Sequence, residues 1–417
     1  MPGLQPVRGT QDLLPDAARR HRQVSETARA AASLYISLAT MSVCSPIFEF
    51  TEVFARPIGE HTDIVAKEMY SLEDRGGEKL SLRPENTAGV VRAVLSNGLT
   101  QATPLKFFYS GPMFRYERPQ KGRFRQFHQI GVELLGVAQA QADVEVIALG
   151  KRILDELGIG RKVRLEINTL GDSDTRARYR GMLIEYFSKR QAELSEDSQR
   201  RLVSNPLRIL DSKDPRDIEI NKSAPSMYEY LNEASKNFYS RVKYDLGRLE
   251  IEARENPKLV RGLDYYTHTV FEFITDDLGA QGTVLAGGRY DGLVSLMGGP
   301  EMAGVGWAAG IERLALLIDE PRKPARPISL VPIGDQAEAT ASSLAEALRT
   351  EGFVVDVGYS GNLQRRMRRA DRIGARAAVL FGTDELAAGT LTLRDFDSGE
   401  QSAVHRDELV ARLKALA

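Results

Sequence analysis

The chain is interrupted at Pro321–Pro327, where three prolines and three cations occur within seven residues. Proline lacks a backbone N–H and clashes with the preceding helical turn, so this segment can neither continue a helix nor pair in a sheet. The chain has 417 residues, and a single hydrophobic core rarely extends beyond about 250–300 residues. We therefore predict one domain at residues 1–320, a linker at 321–327 and a second domain at 328–417.

The segment after the linker alternates between short apolar runs and helix-like stretches. The apolar runs are Ile328–Ile333, Phe353–Val357 and Ala377–Phe381, and the helical stretches are Glu338–Leu348 and Leu363–Ile373. Strands that alternate with helices are typical of a parallel sheet with right-handed crossovers. The sequence therefore predicts a small α/β domain.

The first 320 residues show a different order, because strand-like segments often follow one another without a helix between them. These segments are Lys79–Arg83, Lys106–Ser110, Ile130–Leu135, Val163–Thr169 and Thr269–Ile274. This order favours an α+β domain, in which helices flank an antiparallel sheet.

Helical segments also appear before the linker. Val144–Leu157 has helical spacing, with Asp143 as the expected N-cap and Gly158 just beyond the end. Residues from about 171 to 227 are polar and helical, which indicates an insertion in the domain.

Charge and cysteine content limit the classes of function. The 56 Lys+Arg and 57 Asp+Glu residues give a net charge of -1, so a nucleic-acid partner would need local basic patches. The single cysteine, Cys44, excludes an intrachain disulfide and a cysteine-based zinc cluster. No apolar run reaches the roughly 18–20 residues of a membrane span, and Met1–Arg20 lacks signal-peptide order. We expect a cytoplasmic protein with no membrane partner.

Arginines are concentrated in Phe114–Gln129, where five cations occupy the eleven positions from Arg115 to Arg125. Such a cluster is often only the solvated tip of a hairpin. Here aromatic residues alternate with the cations, namely Phe114, Tyr116, Phe124 and Phe127. Guanidinium groups over an aromatic floor are able to clamp polyphosphate and stack a purine, which is the second interpretation.

Three further segments combine glycines, tyrosines and arginines: Leu259–Thr269, Ala286–Gly292 and Gly304–Leu314. Adjacent glycines by themselves indicate a turn or bulge. Arg313 is either an ordinary helix-surface charge or part of a close-packed binding surface. The sequence contains neither a Walker loop nor a strand–GxGxxG–helix unit, so nucleotide binding would have to use arginines on a sheet.

Together these segments resemble the class II aminoacyl-tRNA synthetases, and the histidine-specific members in particular. Motif 1 of the class resembles Cys44–Glu49, motif 2 resembles Phe114–Gln129, and motif 3 resembles Gly304–Leu314. The histidine-specific segments are Ser81–Gly89, Leu259–Glu272 and Gly287–Tyr290, with further similarity at Arg8–Pro15, Ala370–Asp371 and Gly382–Leu386. The resemblance covers essentially the whole chain. Asn86 departs from the glycine that is commoner in the family.

The resemblance implies roles for individual residues. The α-ammonium of histidine would be held by Glu85 and Thr87, and the amino-acid pocket would be lined by Gln129 and Glu133 and completed by Tyr265, Tyr266 and Tyr290. ATP would be bound by Arg115 at its α-phosphate and by Arg123 and Arg313 near its β/γ end. Arg261 would sit at the reacting carboxylate and α-phosphate, so Arg115 and Arg261 are the expected catalytic cations.

The resemblance also implies partners. Histidine, ATP with Mg²⁺ and tRNA would be the substrates, no protein metal ligands are expected, and a homodimer would form around Pro46. Residues 328–417 would bind the anticodon, and one face of the second domain's basic helix would contact tRNA through Arg365, Arg368, Arg369 and Arg372.

The implied activity has two steps: ATP-dependent formation of histidyl-adenylate, then transfer of the histidyl group to the 3′ end of tRNA. An alternative is a non-catalytic, histidine-sensing regulatory subunit of ATP phosphoribosyltransferase, which shares the catalytic-domain resemblance. Such subunits generally lack the C-terminal domain and lose parts of the arginine motifs. The presence of Arg115, Arg261, Arg313 and residues 328–417 favours the enzyme.

Overall fold

The computed structural model describes residues 6–35, 41–59, 62–279 and 282–416. The chain divides into two compact units, Met1–Arg322 and Lys323–Ala417, so the division falls inside the proline-rich segment. Residues 36–40, part of the approach to the motif 1 segment, lie outside the described residues. Within the described chain, no helix is both long and apolar enough to cross a membrane.

The first unit contains these strands: β1 (Met41–Ser42), β2 (Phe48–Phe50), β3 (Ser71–Glu73), β4 (Lys79–Leu82), β5 (Leu105–Phe114), β6 (Gln126–Leu135), β7 (Arg164–Thr169), β8 (Ala253–Glu255), β9 (Thr267–Ile274), β10 (Thr283–Arg289) and β11 (Gly304–Gly310). Its helices are α1 (Pro15–Tyr35), α2 (Glu52–Ile58), α3 (Thr87–Ser96), α4 (Ala140–Glu156), α5 (Ser173–Ser188), α6 (Glu196–Ser204), α7 (Pro215–Asn221), α8 (Glu233–Arg248), α9 (Leu293–Leu296) and α10 (Ile311–Leu317). Short 3₁₀ or π turns occur at Ile64–Glu68, Leu99–Gln101, Gly160–Lys162, Gln191–Glu193, Pro206–Ile209 and Met227–Tyr230.

The main sheet of the first unit has the strand order β1-β5-β6-β11-β10-β9-β7-β8 in the described residues. All pairings from β5 to β7 are antiparallel, and the short edge strands β1 and β8 pair in parallel. The predicted antiparallel sheet flanked by helices is therefore confirmed. The predicted strand at Lys79–Arg83 exists as β4, but it belongs to a separate small sheet of order β2-β4-β3.

The two faces of the main sheet bury different sets of side chains, because successive residues of a strand point to opposite faces. Phe108 and Val132 pack in the core that includes α1, α4 and α8. Phe107 and Tyr109 belong to the core on the other face, with α2, α3 and the insertion helices. Every second residue of β5 and β6 is thus presented to this second face, where the tyrosines discussed below also lie.

The helix predicted at Val144–Leu157 is α4, and Gly158 follows its end with a φ of 76°. The prediction of Asp143 as N-cap was wrong, because the helix begins at Ala140 and places Asp143 inside its first turn. There Asp143 is completely buried and pairs with the equally buried Arg289. Burial raises the pKa of Asp143, and the guanidinium of Arg289 opposes this effect.

The glycines of Ala286–Gly292 were interpreted as a turn or bulge, yet Gly287 and Gly288 lie inside β10. A register shift against β9 does occur next to them, between Gly288 and Arg289. A side chain at Gly288 would meet the carbonyl oxygen of Thr269 at 2.6 Å and the Tyr266 ring at 2.9 Å. Glycine is therefore needed here for close approach.

The second unit contains β12 (Ile328–Pro332), β13 (Val355–Val357), β14 (Ala377–Phe381), β15 (Thr390–Asp395) and β16 (Gln401–His405), with α11 (Asp335–Thr350), α12 (Leu363–Arg372), α13 (Thr383–Ala388), α14 (Leu409–Ala415) and a 3₁₀ turn at Arg406–Glu408. The sheet order is β13-β12-β14-β15-β16. The first three strands are parallel, as expected. Next to these parallel strands, β15 and β16 add an antiparallel hairpin that was not predicted from the sequence.

Candidate active site

The three arginine-bearing segments of the first unit surround one cavity of about 1910 Å³. The β5–β6 hairpin contributes its loop, the segment before β9 contributes Arg261, and α10 contributes Arg313. Ten of the eleven residues predicted to bind ATP or histidine line this cavity: Glu85, Thr87, Arg115, Arg123, Gln129, Arg261, Tyr265, Tyr266, Tyr290 and Arg313.

Glu133 is the exception, because it lies behind the wall and only 1% of it is exposed. Its carboxylate accepts a hydrogen bond from the Thr87 hydroxyl at 2.7 Å and another from the Tyr290 hydroxyl. The expectation that Glu133 lines the pocket is corrected accordingly. The side chains of Thr87 and Tyr290 line the pocket, and they cover the Glu133 carboxylate.

Burial raises the pKa of Glu133 to about 8, while the bonds from Tyr290 and Thr87 act in the opposite direction. The nearby carboxylate of Glu85 adds to the increase. Glu133 therefore titrates near neutral pH, whereas an ordinary glutamate is fully ionised there.

Two glycines make room for this cluster. Gly306 pairs with Glu133 across β11 and β6, and a Cβ at Gly306 would overlap the Glu133 carboxylate. A Cβ at Gly304 would overlap the Tyr290 ring. The glycines of the motif 3 segment thus allow a carboxylate and an aromatic ring to pack directly on the backbone.

Aromatic rings form the wall next to Glu133. The rings of Tyr265 and Tyr266 are 4.7 Å apart, and Tyr265 meets Tyr290 edge-on at 5.8 Å. Burial raises the pKa of all three phenols, so they are neutral hydrogen-bonding groups. Tyr109, which the sequence did not single out, belongs to the same buried cluster of side chains.

Glu85 precedes α3 and caps its N-terminus. Its carboxylate accepts from the backbone N–H groups of Thr87 at 2.6 Å and Ala88 at 2.9 Å. Burial raises the pKa of Glu85, and these two backbone bonds oppose the increase. A carboxylate has about four acceptor positions, so two remain for a cationic ligand.

The hairpin arginines are organised by a carboxylate. Arg123 donates to Glu117 at 2.7 Å, and Arg115 lies 3.7 Å from the same side chain. Arg115 also donates to the carbonyl oxygen of Pro84 at 2.8 Å and lies over the Phe127 ring at 5.4 Å. These contacts hold both guanidinium groups against the cavity, which differs from a hairpin tip that is only solvated.

Arg261 is paired with Glu272 on β9 and lies 5.7 Å from the Tyr266 ring. Burial acts to lower the pKa of Arg261. The carboxylate of Glu272 and two neighbouring tyrosines together outweigh this effect, so the pKa is raised. Arg313 differs, since burial and the neighbouring Arg123 lower its pKa to about 10. Arg261 and Arg313 are both protonated at pH 7, and an anionic ligand would favour their charged forms further.

The carboxylates that accompany the arginines were not predicted from the sequence. Glu117 and Glu272 lie within the quoted motifs, but no role was assigned to them. The sequence shows that these glutamates occur among cations. It does not show which arginine each one pairs with, because the pairing depends on which side chains meet across a loop or a strand.

One group of described side chains has the composition of a metal site. Among the described residues, His21, His128 and Glu312 bring one ligand atom each within 4.8 Å of one another. Glu312 already accepts from the backbone N–H of His128 at 3.0 Å and lies 2.8 Å from its ring nitrogen. We interpret this group as a hydrogen-bonded connection between β6 and α10.

The four arginines expected to contact tRNA lie on α12 of the second unit, and all are exposed: Arg365, Arg368, Arg369 and Arg372. Arg369 is paired with Asp356 at 2.7 Å. Arg366, which was not assigned to this face, is buried and bonds to Pro332 and Glu338.

An antiparallel sheet with a long arginine-bearing hairpin, followed by a glycine-rich strand leading into a short helix, is the architecture of class II aminoacyl-tRNA synthetases. Comparison of sequences defines the particular family. The family described as "Histidyl-tRNA synthetase" matches residues 9–314, and the "Anticodon binding domain" family matches residues 328–416. The chain belongs to the histidyl-tRNA synthetase family.

Individual relatives agree with this assignment. A histidine–tRNA ligase of Rhodospirillum rubrum is 56% identical over 405 residues, which cover 97% of each chain. The crystal structure of apo S. aureus histidyl-tRNA synthetase has 34% identity and a TM-score of 0.81, covering 98% of this chain and 99% of the other.

A Bacillus halodurans structure described as an ATP phosphoribosyltransferase regulatory subunit/histidyl-tRNA synthetase has a TM-score of 0.63 at 22% identity, covering 92% of this chain and 99% of that one. That similarity shows the fold alone. The high identity to a ligase along the whole chain therefore favours the enzyme over the regulatory alternative.

Proposed function

We propose that the cavity of the first unit activates histidine with ATP and passes the histidyl group to tRNA. Four arginines converge on one cavity, and this observation carries the proposal: Arg115, Arg123, Arg261 and Arg313. The cavity wall continues into a tyrosine–carboxylate cluster, which consists of Tyr265, Tyr266, Tyr290 and the buried Glu133. Cations beside a neutral polar pocket fit two ligands of different chemistry, a polyphosphate and an amino acid.

In the first step, a carboxylate oxygen of histidine attacks the α-phosphorus of ATP, and the bond to the pyrophosphate leaving group breaks. Both reactants are anions, so the barrier is largely electrostatic. Arg115 and Arg261 are assigned to the reacting phosphate and carboxylate, and Arg123 and Arg313 to the β/γ end of ATP. Preorganised cations in a partly water-excluded site stabilise the charge that develops on the phosphorus.

For histidine itself, we assign Glu85 and Thr87 to the α-ammonium and the tyrosine cluster, with Gln129, to the side chain. Because the Tyr290 hydroxyl donates to Glu133, its oxygen is left as an acceptor for an imidazole N–H. Glu133 therefore acts on the imidazole through Tyr290. An analogue without that N–H would leave a buried acceptor unpaired, which permits selection of roughly 10⁴.

We propose that Mg²⁺ binds together with ATP. It usually binds through one or two carboxylates together with phosphate oxygens. Glu117 and Glu272 line the same cavity, where each is paired with an arginine, and their carboxylates would supply oxygen ligands of that kind. The ion would neutralise phosphate charge, and the arginines would orient the phosphates.

In the second step, the 2′- or 3′-hydroxyl at the tRNA end attacks the acyl carbon, and AMP leaves. We assign anticodon binding to the second unit and tRNA backbone contacts to the exposed arginine face of α12. We place the enzyme in the cytoplasm, because charged tRNA is used in translation and an exposed free cysteine, Cys44, suits a reducing compartment.

We also propose a homodimer that buries the small sheet near Pro46. Phe48 is 57% exposed and Phe50 is 56% exposed on β2, and Leu72 on β3 is exposed as well. The side chains of Phe48 and Phe50 point to the same face of the strand. An exposed apolar patch of this kind is typical of an interface between subunits.

Histidine-dependent exchange of pyrophosphate into ATP tests the first step, and charging of tRNA tests the second. The enzyme should catalyse both, and omission of histidine should abolish exchange. Binding of histidine without any exchange would contradict the proposal and favour the regulatory alternative.

A further inference from the structure

The segment 259–266 carries Arg261, Tyr265 and Tyr266, and its far end is held from outside the pocket by Arg176. Arg176 lies in the first turn of α5, within the helical insertion. Its guanidinium donates to the carbonyl oxygens of Asp264 and Tyr266, the latter at 3.0 Å. One arginine thus donates hydrogen bonds to two backbone carbonyls of the segment that lines the proposed histidine pocket.

A second residue of the insertion binds the same segment. Asn205, between α6 and the following 3₁₀ turn, is buried and donates to the Asp264 carboxylate at 2.8 Å. The Asp264 backbone N–H donates to the carbonyl oxygen of Ile58 at 3.1 Å, and Gly59 leaves space for its carboxylate. Asp264 is therefore the point where the insertion and the end of α2 meet beside the pocket.

The other end of the segment is attached to the sheet instead. Asn168 on β7 donates to the Leu259 carbonyl oxygen at 2.9 Å. The near end is thus bonded to β7 of the sheet, and the far end, at Tyr265 and Tyr266, is bonded to the insertion immediately before β9 begins at Thr267. Neither Arg176 nor Asn205 supplies a group to the tyrosine–carboxylate cluster.

We propose that the helical insertion, through Arg176 and Asn205, positions the segment 259–266 for histidine binding. The insertion then serves as a support for the amino-acid pocket, and any displacement of α5 is transmitted to the tyrosine wall. This inference rests on the proposed function, because it assigns the same pocket to histidine. Arg176 and Asn205 are positioning residues, since Arg176 binds the backbone of the segment and Asn205 binds the side chain of Asp264.

The inference is tested with the full-length chain by replacing Arg176 with Ala and measuring pyrophosphate exchange. Loss of charge-assisted hydrogen bonds of this kind weakens binding by about tenfold. The histidine KM should therefore rise by about the same factor. The KM for ATP should change by less than about twofold, because the other cavity arginines lie outside the segment and Arg261 is held by Glu272 on β9. Arg176→Lys should recover part of the loss, since it keeps the charge but has a shorter side chain without the planar guanidinium group. Asn205→Ala should raise the histidine KM to a smaller extent.

Arg178→Ala is the matched control, because Arg178 is on the same helix and bonds to Thr175 and Tyr230 instead of to the segment. Its histidine KM should equal that of the unmodified enzyme. Equal increases in both substrate KM values together with a lower melting temperature would overturn the inference, as would an unchanged histidine KM. If Arg176→Ala does not fold, the same criteria are applied to Arg176→Lys and Asn205→Ala.

The two proposals fail in different ways. Absence of histidine-dependent exchange in the unmodified enzyme would reject the proposed function. Normal exchange in the unmodified enzyme and unchanged kinetics in Arg176→Ala would reject only the positioning role.

Discussion

The Tyr290 hydroxyl donates a hydrogen bond to the Glu133 carboxylate, which lies behind the wall of the cavity. Two strands that are adjacent neither in the chain nor in the sheet bring these residues together, since Glu133 is on β6 and Tyr290 follows β10. The bond sets the direction of the tyrosine proton. It therefore determines which hydrogen-bonding groups the pocket offers to an imidazole.

The titration of Glu133 should appear in histidine binding. With a pKa of about 8, its ionised fraction rises about tenfold between pH 7 and pH 9. Ionised Glu133 holds the tyrosine proton and leaves an acceptor for the imidazole N–H. The histidine KM of the unmodified enzyme, divided by that of Glu133→Gln, should therefore fall about tenfold over this range. The ratio cancels the titration of histidine itself, and a constant ratio would contradict the assignment.

The raised pKa of Glu133 also makes the free energy of unfolding depend on pH. The folded chain keeps a proton on Glu133 that the unfolded chain loses above its pKa of 4.5. The contribution of Glu133 to the free energy of unfolding is therefore present below about pH 4.5 and is lost as the pH rises through about 8. Glu133→Gln should lack this dependence, which urea unfolding between pH 6 and pH 9 would measure.

Gly306→Ala should damage the histidine pocket, because its Cβ would overlap both the Glu133 carboxylate and the backbone of Val132. Overpacking of this kind costs about 1–3 kcal/mol. We expect a lower melting temperature and a histidine KM that rises more than the ATP KM. Gly310→Ala on the same strand is the control, since its Cβ would approach no atom nearer than 3.6 Å. Normal kinetics in Gly306→Ala would show that the close packing is not required.

Arg261→Ala should nearly abolish adenylate formation while the chain stays folded. Loss of one preorganised cation beside two anions lowers the reaction rate by a factor of about 10²–10³. Arg261→Lys keeps the charge opposite Glu272 but loses the planar fork, so it should be intermediate. Pyrophosphate exchange in Arg261→Ala within threefold of the unmodified rate would refute the assignment.

The proposed dimer should depend on the exposed aromatic side chains of β2. Phe48→Asp combined with Phe50→Asp introduces charges into the proposed interface and should shift the protein to monomer in sedimentation experiments. Tyr244→Asp is the control, because Tyr244 is also exposed but lies on α8. A compact monomer for the unmodified protein at micromolar concentration would exclude the dimer.

Neutralising the arginine face of α12 should weaken tRNA binding alone. Arg365→Ala with Arg368→Ala should raise the KM for tRNA and leave pyrophosphate exchange unchanged. Each lost phosphate contact should reduce the log–log salt slope by roughly 0.7–0.9. Arg349→Ala in the same unit is the control, because Arg349 is also exposed but lies on α11. If the salt slope of charging is unchanged, the arginine face does not contact tRNA.

Local sequence signals identified much of the architecture. The prolines at 321–327 lie where the two units divide, and the strand-like segments Ile130–Leu135 and Val163–Thr169 correspond to β6 and β7. These features depend on neighbouring residues and on backbone chemistry, which are properties of short segments. The arginine-rich motifs were recognisable for the same reason, since each is continuous in the chain.

Long-range pairing decided the rest. Asp143 had the sequence context of a helix cap, but the fold places it against Arg289, which comes 146 residues later. Glu133 was expected at the pocket surface, and the hydroxyls of Thr87 and Tyr290 cover it. The register of β6 against β11 sets Gly306 beside Glu133, and no local pattern encodes that register. Side-chain partners across strands and helices arise only when the sheet forms, so the sequence by itself determined the segments and the tertiary structure determined which groups meet.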